Sequence, residues 1–173
     1  HIERSHFNLI ADRYHTTSKS WAALYGQIAN CIGQLIKEKK VVDVGSGGVL
    51  VFDPQLPREV VAIDISKSML DRLNYPNIKK IVGDARKMPE VDDESVDIIV
   101  FNFSLHHING KSVDESLDTL DQILQSARRK LKPGGKLIVG EAVVSTPVYW
   151  LECLFYPITL FFLGLFGVSM VFM

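Results

Sequence analysis

Five short runs rich in β-branched residues recur along this chain: Val41–Val44, Val60–Ile63, Ile78–Val82, Val96–Phe101 and Lys136–Gly140. Each is bounded by Gly, Asp, Asn or Pro. Such runs read as strands buried on both faces. Segments of helical period lie between several of them. Alternation of this kind implies right-handed crossovers and a mostly parallel sheet. The sequence therefore predicts an α/β fold, Rossmann-like, with helices on both faces. Ligands of such sheets bind beyond the carboxyl ends of the strands, where strand order reverses. The residues at those ends become the ones to read.

Trp21, Leu24, Ile28, Ile32, Leu35 and Ile36 recur at helical spacing after a Thr/Ser-rich start, predicting a helix over 18–38. Ser66 opens a short helix carrying Met69, Leu70 and Leu73, which Pro76 stops. Val113, Leu117, Leu120, Leu124, Ala127 and Leu131 mark a longer helix. Its acids, Asp114, Glu115 and Asp118, come early, and its bases, Arg128, Arg129 and Lys130, come late, as the helix dipole favours. Lys132-Pro133-Gly134-Gly135 forces a turn before the last strand. Pro54 and Pro57 shorten the first crossover, because proline lacks the N–H that a helix interior needs.

The formal net charge of −1 gives no general pull toward nucleic acid. Cys31 and Cys153 stand far apart with no metal-ligand spacing, so a reducing, cytoplasmic setting is expected and no metal. From Cys153 to Met173 no residue is charged, and this run clears the ~20 apolar residues that cross a bilayer. Three parts are expected: an N-terminal lid and helix over 1–37, a ligand-binding core over 38–147, and an apolar helical tail over 148–173. The tail has two readings. One is a membrane contact, peripheral to the bilayer, that delivers a lipid-like acceptor. The other is a lid or homodimer surface buried by protein.

Three strand ends carry candidate chemistry. The first is Asp43-Val44-Gly45-Ser46-Gly47-Gly48, whose glycines let the backbone pass close to a ligand. It departs from the dinucleotide pattern G-x-G-x-x-G, since Leu50 stands where the third glycine belongs. An oxidoreductase using NAD is thereby disfavoured. The second ends in Asp64, where a carboxylate can accept hydrogen bonds from both ribose hydroxyls. The third ends in Gly83-Asp84-Ala85. An acid here can accept from an adenine amino group while small Ala85 leaves room for the ring. Each has a plainer reading as a turn or a helix cap.

Taken in order, these segments resemble the class I S-adenosylmethionine-dependent methyltransferases. Val41–Gly47 is similar to the first motif of that family, and Val61–Ser66 with Met69-Leu70 to its ribose-binding segment. Gly83-Asp84-Ala85 with Met88-Pro89 resembles the adenine-side motif. Asp97–Val100 with Leu105-His106-His107-Ile108 resembles the fourth strand and its exit, and Leu131–Leu137 the turn into the fifth. The resemblance covers about residues 38–142. It implies S-adenosylmethionine as cofactor, S-adenosylhomocysteine as product, and methyl transfer to a small-molecule or lipid-like acceptor.

The resemblance also implies residue roles. Gly45, Ser46 and Gly47 would lie under the methionine portion, with Asp43 near its amino group. Asp64 would hold the ribose, with Ile65 and Met69 beside the adenosyl group. Asp84 and Ala85 would meet the adenine. Asn102 and Phe103 would border the methionyl end, and Tyr14 would belong to the N-terminal lid. His106, and after it His107, are the candidates for a catalytic base; the plainer reading is that they shape the loop. Val49 stands where the family usually has a further glycine, and no sixth or seventh strand follows residue 142. Either the tail replaces those strands or the chain is incomplete. The alternative to an enzyme is a non-catalytic nucleoside-binding or assembly module on the same fold.

Overall fold

A computed structural model describes residues 22–108, 110, 112–141 and 147. In chain order the elements are α1 (Ala22–Ile36), β1 (Lys40–Val44), β2 (Glu59–Asp64), α2 (Lys67–Leu70), β3 (Ile78–Val82) and β4 (Val96–Asn102). A 3-10 turn (Leu105–His107), α3 (Val113–Lys130) and β5 (Leu131–Gly140) follow. The strands form one sheet in the order β3-β2-β1-β4-β5, and every neighbouring pair is parallel. Strand order reverses between β1 and β4, which opens a crevice there.

The pleat sorts the core into two layers. Val41, Val60, Ala62, Ile98 and Val100 face Ile32 and Ile36 of α1 and Leu70 of α2. Val42, Val61, Ile63, Ile99 and Phe101 face Ile123 and Ala127 of α3. Alternate residues of each strand thus bury on opposite faces, as a sheet covered on both sides requires.

The first crossover contains no helix among the described residues. Turns carry it, and buried Val51 and Phe52 fill the layer that a helix would occupy. Pro54 and Pro57 predict a shortened helix here; instead none forms between β1 and β2. The helix after β2 is shorter than the sequence suggested. It is capped by Ser66, whose hydroxyl accepts from the Met69 N–H, and it ends at Leu70; Leu73 is buried just beyond it.

Two sequence expectations change. Strand β5 begins at Leu131 rather than Lys136: Val96 pairs with Leu131 and Ile98 with Lys136, so Lys132–Gly135 loops out as a bulge within the strand. Gly134 takes a φ of 78° there. The apolar residues that identify α3 are not all core: Val113 and Leu117 are exposed, and the residues buried on this helix are Ile123, Ser126, Ala127 and Lys130. Cys31 is also exposed.

The chain divides into two compact units, 1–141 and 142–173. The apolar tail over 148–173 lies outside the described residues, as does Tyr14. Among the described residues, no helix is long and apolar enough to cross a membrane.

Candidate functional site

At the end of β1 the chain turns sharply over the sheet. Gly45 donates its N–H to the Ile63 carbonyl at 2.8 Å and takes a φ of 72°. A side chain there would place its Cβ 2.6 Å from the Ser104 Cβ, so only glycine fits. The turn and its neighbours wall a crevice of about 260 Å³, close to the ~300–1,000 Å³ usual for small-molecule sites. Gly45 and Gly47 line it just after β1, Asp64 and Ile65 at the end of β2, Met69 from α2, and Asp84, Ala85 and Arg86 just after β3. The β4 exit adds Phe103, Ser104, Leu105, His107 and Ile108, and α3 adds the stripe Glu115, Thr119 and Ile123.

One acid, Asp64, lines the crevice, and a second, Asp43, is buried behind its wall. Asp64 is 9% exposed, and its oxygens accept from the Gly47 N–H at 3.0 Å and the Ser66 N–H at 2.8 Å. Burial raises its pKa, and those two N–H bonds pull it back. Each oxygen keeps a lone pair for a ligand hydroxyl. Asp43 is 2% exposed, paired in register with Ala62, two residues before Asp64 on the same face. Its Oδ2 is buried with no hydrogen-bond partner. Burial first, and the charge of Asp64 second, push its pKa up to about 8. Among the described residues, no cation contributes to the shift of either acid.

Asp84 is held differently. The Arg86 Nε lies 3.0 and 2.9 Å from its two oxygens, and the Arg86 N–H donates to Oδ1 at 2.9 Å. The guanidinium bond holds the Asp84 carboxyl below its usual range.

Comparisons with known proteins decide the family. A family model described as a methyltransferase domain matches residues 42–139, more than half of the chain. The chain belongs to the class I S-adenosylmethionine-dependent methyltransferases. A ubiquinone/menaquinone biosynthesis C-methyltransferase from Idiomarina loihiensis is 28% identical, with 78% of this chain and 59% of that protein covered. A carboxy-S-adenosyl-L-methionine synthase from Shewanella halifaxensis is 31% identical, with 68% and 52% covered. The chain thus spans between a half and three-fifths of these two relatives. Among solved structures, a complex titled DhpI-SAM-HEP superposes with a TM-score of 0.64 at 18% identity, covering 86% of this chain and 68% of that one. At that identity the likeness shows the fold alone.

The methyltransferase crevice gathers many residues singled out by sequence. Gly45, Gly47, Asp64, Ile65, Met69, Asp84, Ala85, Phe103 and His107 all line it. Asp43, Ser46 and Asn102 do not; they sit behind the wall, each with a buried oxygen that lacks a partner. His106 does not line it either. Its Nδ1 lies 2.8 Å from Oε2 of Glu141. Phe103 takes a φ of 49°, uncommon for a bulky side chain, and its N–H donates to the Gly140 carbonyl at 2.7 Å.

Sequence reasoning missed Arg86, Ser104, Glu115, Thr119, Ile123 and Glu141. The signal for the α3 residues was present: Glu115, Thr119 and Ile123 fall four apart, but they were outweighed by the more apolar Val113–Leu117 stripe. Among the described residues, no group of three or more His, Cys, Asp or Glu could hold a metal ion.

The site suits a nucleoside. Glycine leaves the approach open, and Asp64 offers acceptors for vicinal hydroxyls.

Proposed function

We propose that this chain carries the cofactor-binding part of a methyltransferase acting on a small or lipophilic acceptor, with a hydroquinone ring as the leading candidate. The observation that carries the cofactor half is the buried Asp64 carboxylate on the crevice wall, held by the Gly47 and Ser66 N–H groups with acceptor capacity left for a ligand. The acceptor half is supported by the relatives named as quinone-biosynthesis C-methyltransferases, from Idiomarina loihiensis and, at 37% identity over 99 residues, Legionella pneumophila.

When bound, the cofactor supplies a methyl group on a sulfonium, which leaves as a neutral thioether. The leaving side therefore needs no proton, and the residues of this chain have three tasks. Asp64 orients the ribose. Asp43, protonated while the crevice is empty, ionises against the amino end when the cofactor binds. Ile65, Met69 and Ile108 exclude water around the adenosyl group. Alignment of this kind can supply up to ~7–11 kcal/mol of the barrier. An acceptor hydroxyl must lose its proton to become strongly nucleophilic, and His106 on the rim, beside His107 on the crevice wall, is the candidate base for that task.

Isothermal titration with S-adenosylhomocysteine tests the cofactor half. Binding in the micromolar range is expected, and no heat at millimolar ligand would defeat it. Incubation with radiolabelled S-adenosylmethionine and a panel of hydroquinones, phenols and amines tests the acceptor. Label entering the hydroquinone at carbon is the expected outcome; binding without transfer to any acceptor favours a non-catalytic module.

A further inference from the structure

One carboxylate outside the crevice wall gathers three donors from a loop more than thirty residues away. Glu141 is the first residue after β5, and the sheet lays β5 beside β4 so that Gly140 pairs with Asn102. Glu141 therefore stands opposite the loop that leaves β4. Its Oε1 accepts the N–H groups of Ser104 at 3.0 Å and Leu105 at 2.7 Å. Its Oε2 takes the His106 Nδ1 at 2.8 Å. The Ser104 hydroxyl in turn donates to the Val44 carbonyl at 3.0 Å, tying the same loop to β1.

A carboxylate only accepts, so His106 Nδ1 must carry the hydrogen. A neutral imidazole then leaves Nε2 bare, with its lone pair free to take a proton. His106 is flanked by Leu105 and His107, both on the crevice wall, and its ring lies 4.0 Å from that of His107. It is 44% exposed, which places it on the rim rather than in the floor.

We propose that Glu141 is a positioning residue for methyl transfer: it pins the β4 exit loop through Ser104 and Leu105, and it fixes His106 in the tautomer whose Nε2 accepts the acceptor's proton. The balance is simple. The acceptor oxygen loses its proton to Nε2 of His106, the acceptor carbon or oxygen forms the new bond to the methyl group, and the carbon–sulfur pair stays on sulfur. Glu141 holds the resulting imidazolium through the same Nδ1–H bond. This rests on the methyltransferase reading of the crevice.

The decisive variant is Glu141→Gln. Its amide oxygen can still accept from Ser104 and Leu105, so the loop stays closed, but its NH₂ presents a donor to His106 Nδ1 and reverses the tautomer. Nitrogen-15 imidazole NMR of the full chain near pH 8 reads this directly. Wild type should show the hydrogen on Nδ1 of His106, and Glu141→Gln should show it on Nε2. S-adenosylhomocysteine should bind both proteins within about twofold. With a prenylated hydroquinone as probe, kcat should fall by about a hundredfold or more in Glu141→Gln, within the range of a lost general base, while KM for S-adenosylmethionine changes less than twofold.

A wild-type His106 with its hydrogen on Nε2, or the same tautomer in both proteins, overturns the proposal. So does an unchanged kcat on a probe that wild type methylates. Failure of wild type to bind S-adenosylhomocysteine would instead defeat the reading of the crevice, and failure to methylate the probe would defeat the hydroquinone assignment. The tautomer measurement decides the role of Glu141 in either case.

Discussion

Replacing Asp43 with Asn should flatten the pH dependence of stability between about pH 6 and pH 9. The Asp43 pKa is raised from 3.8 to about 8 in the folded chain, first by burial and then by Asp64. Between those values the folded state holds one proton that the unfolded state has released. Stability therefore falls as pH rises through this window, and the loss is complete above the folded value. From pH 6 to pH 9 the group crosses about two units on the protonated side of its folded pKa, which amounts to ~3 kcal/mol at ~1.4 kcal/mol per unit. Asn fills nearly the same volume and carries no charge. Urea unfolding followed by circular dichroism at both pH values measures the slope in each protein. The wild-type slope should exceed that of Asp43→Asn by ~3 kcal/mol. Equal slopes would refute the claim that Asp43 is protonated in the unliganded protein.

Three further outcomes follow from the geometry. Asp64→Ala removes the acceptor placed for the ribose and should weaken S-adenosylhomocysteine binding by about 1.5–3 kcal/mol for each hydrogen bond to a charged group; titration calorimetry checks it. Gly45→Ala forces a Cβ to 2.6 Å from the Ser104 Cβ at a φ of 72°, so it should cost about 1–3 kcal/mol of stability, seen as a lower melting temperature, and weaken ligand binding as well. Ser112→Ala removes the hydroxyl that accepts from the Glu115 N–H at the start of α3. It should lower stability by about 1 kcal/mol in urea unfolding while leaving Kd for S-adenosylhomocysteine within twofold.

The strands were legible because their signal is local and strong. A β-branched run such as Val41–Val44 followed by Gly45, or Val60–Ile63 followed by Asp64, announces both the strand and the residue at its end. The order of those ends brought out the crevice. Proline marked the first crossover as short of helix too, though not that no helix would form and that Val51 and Phe52 would plug the layer instead. Strand β5 was misjudged at its start because Pro133-Gly134-Gly135 looks like a turn between elements. In the fold it is a bulge inside one, closed by the Val96–Leu131 pairing.

Glu141 was invisible for a different reason. Its partners, Ser104, Leu105 and His106, lie 35–37 residues upstream, and only the β4–β5 pairing brings them together. No local pattern encodes that. Arg86 illustrates the opposite case. It sits two residues from Asp84 and needed only attention to short-range pairing. The pair is nearly half exposed, so it is worth at most about 1 kcal/mol to stability; its consequence is for the charge of Asp84.

A crystal structure of this chain grown with S-adenosylhomocysteine is the most direct measurement of the claim that the first three strand ends enclose an adenosyl group. The predicted result has both ribose hydroxyls on the Asp64 carboxylate, the adenine beside Ala85, and the amino group within reach of Asp43. An adenosyl group bound elsewhere, or a crevice left empty at saturating ligand, would contradict it.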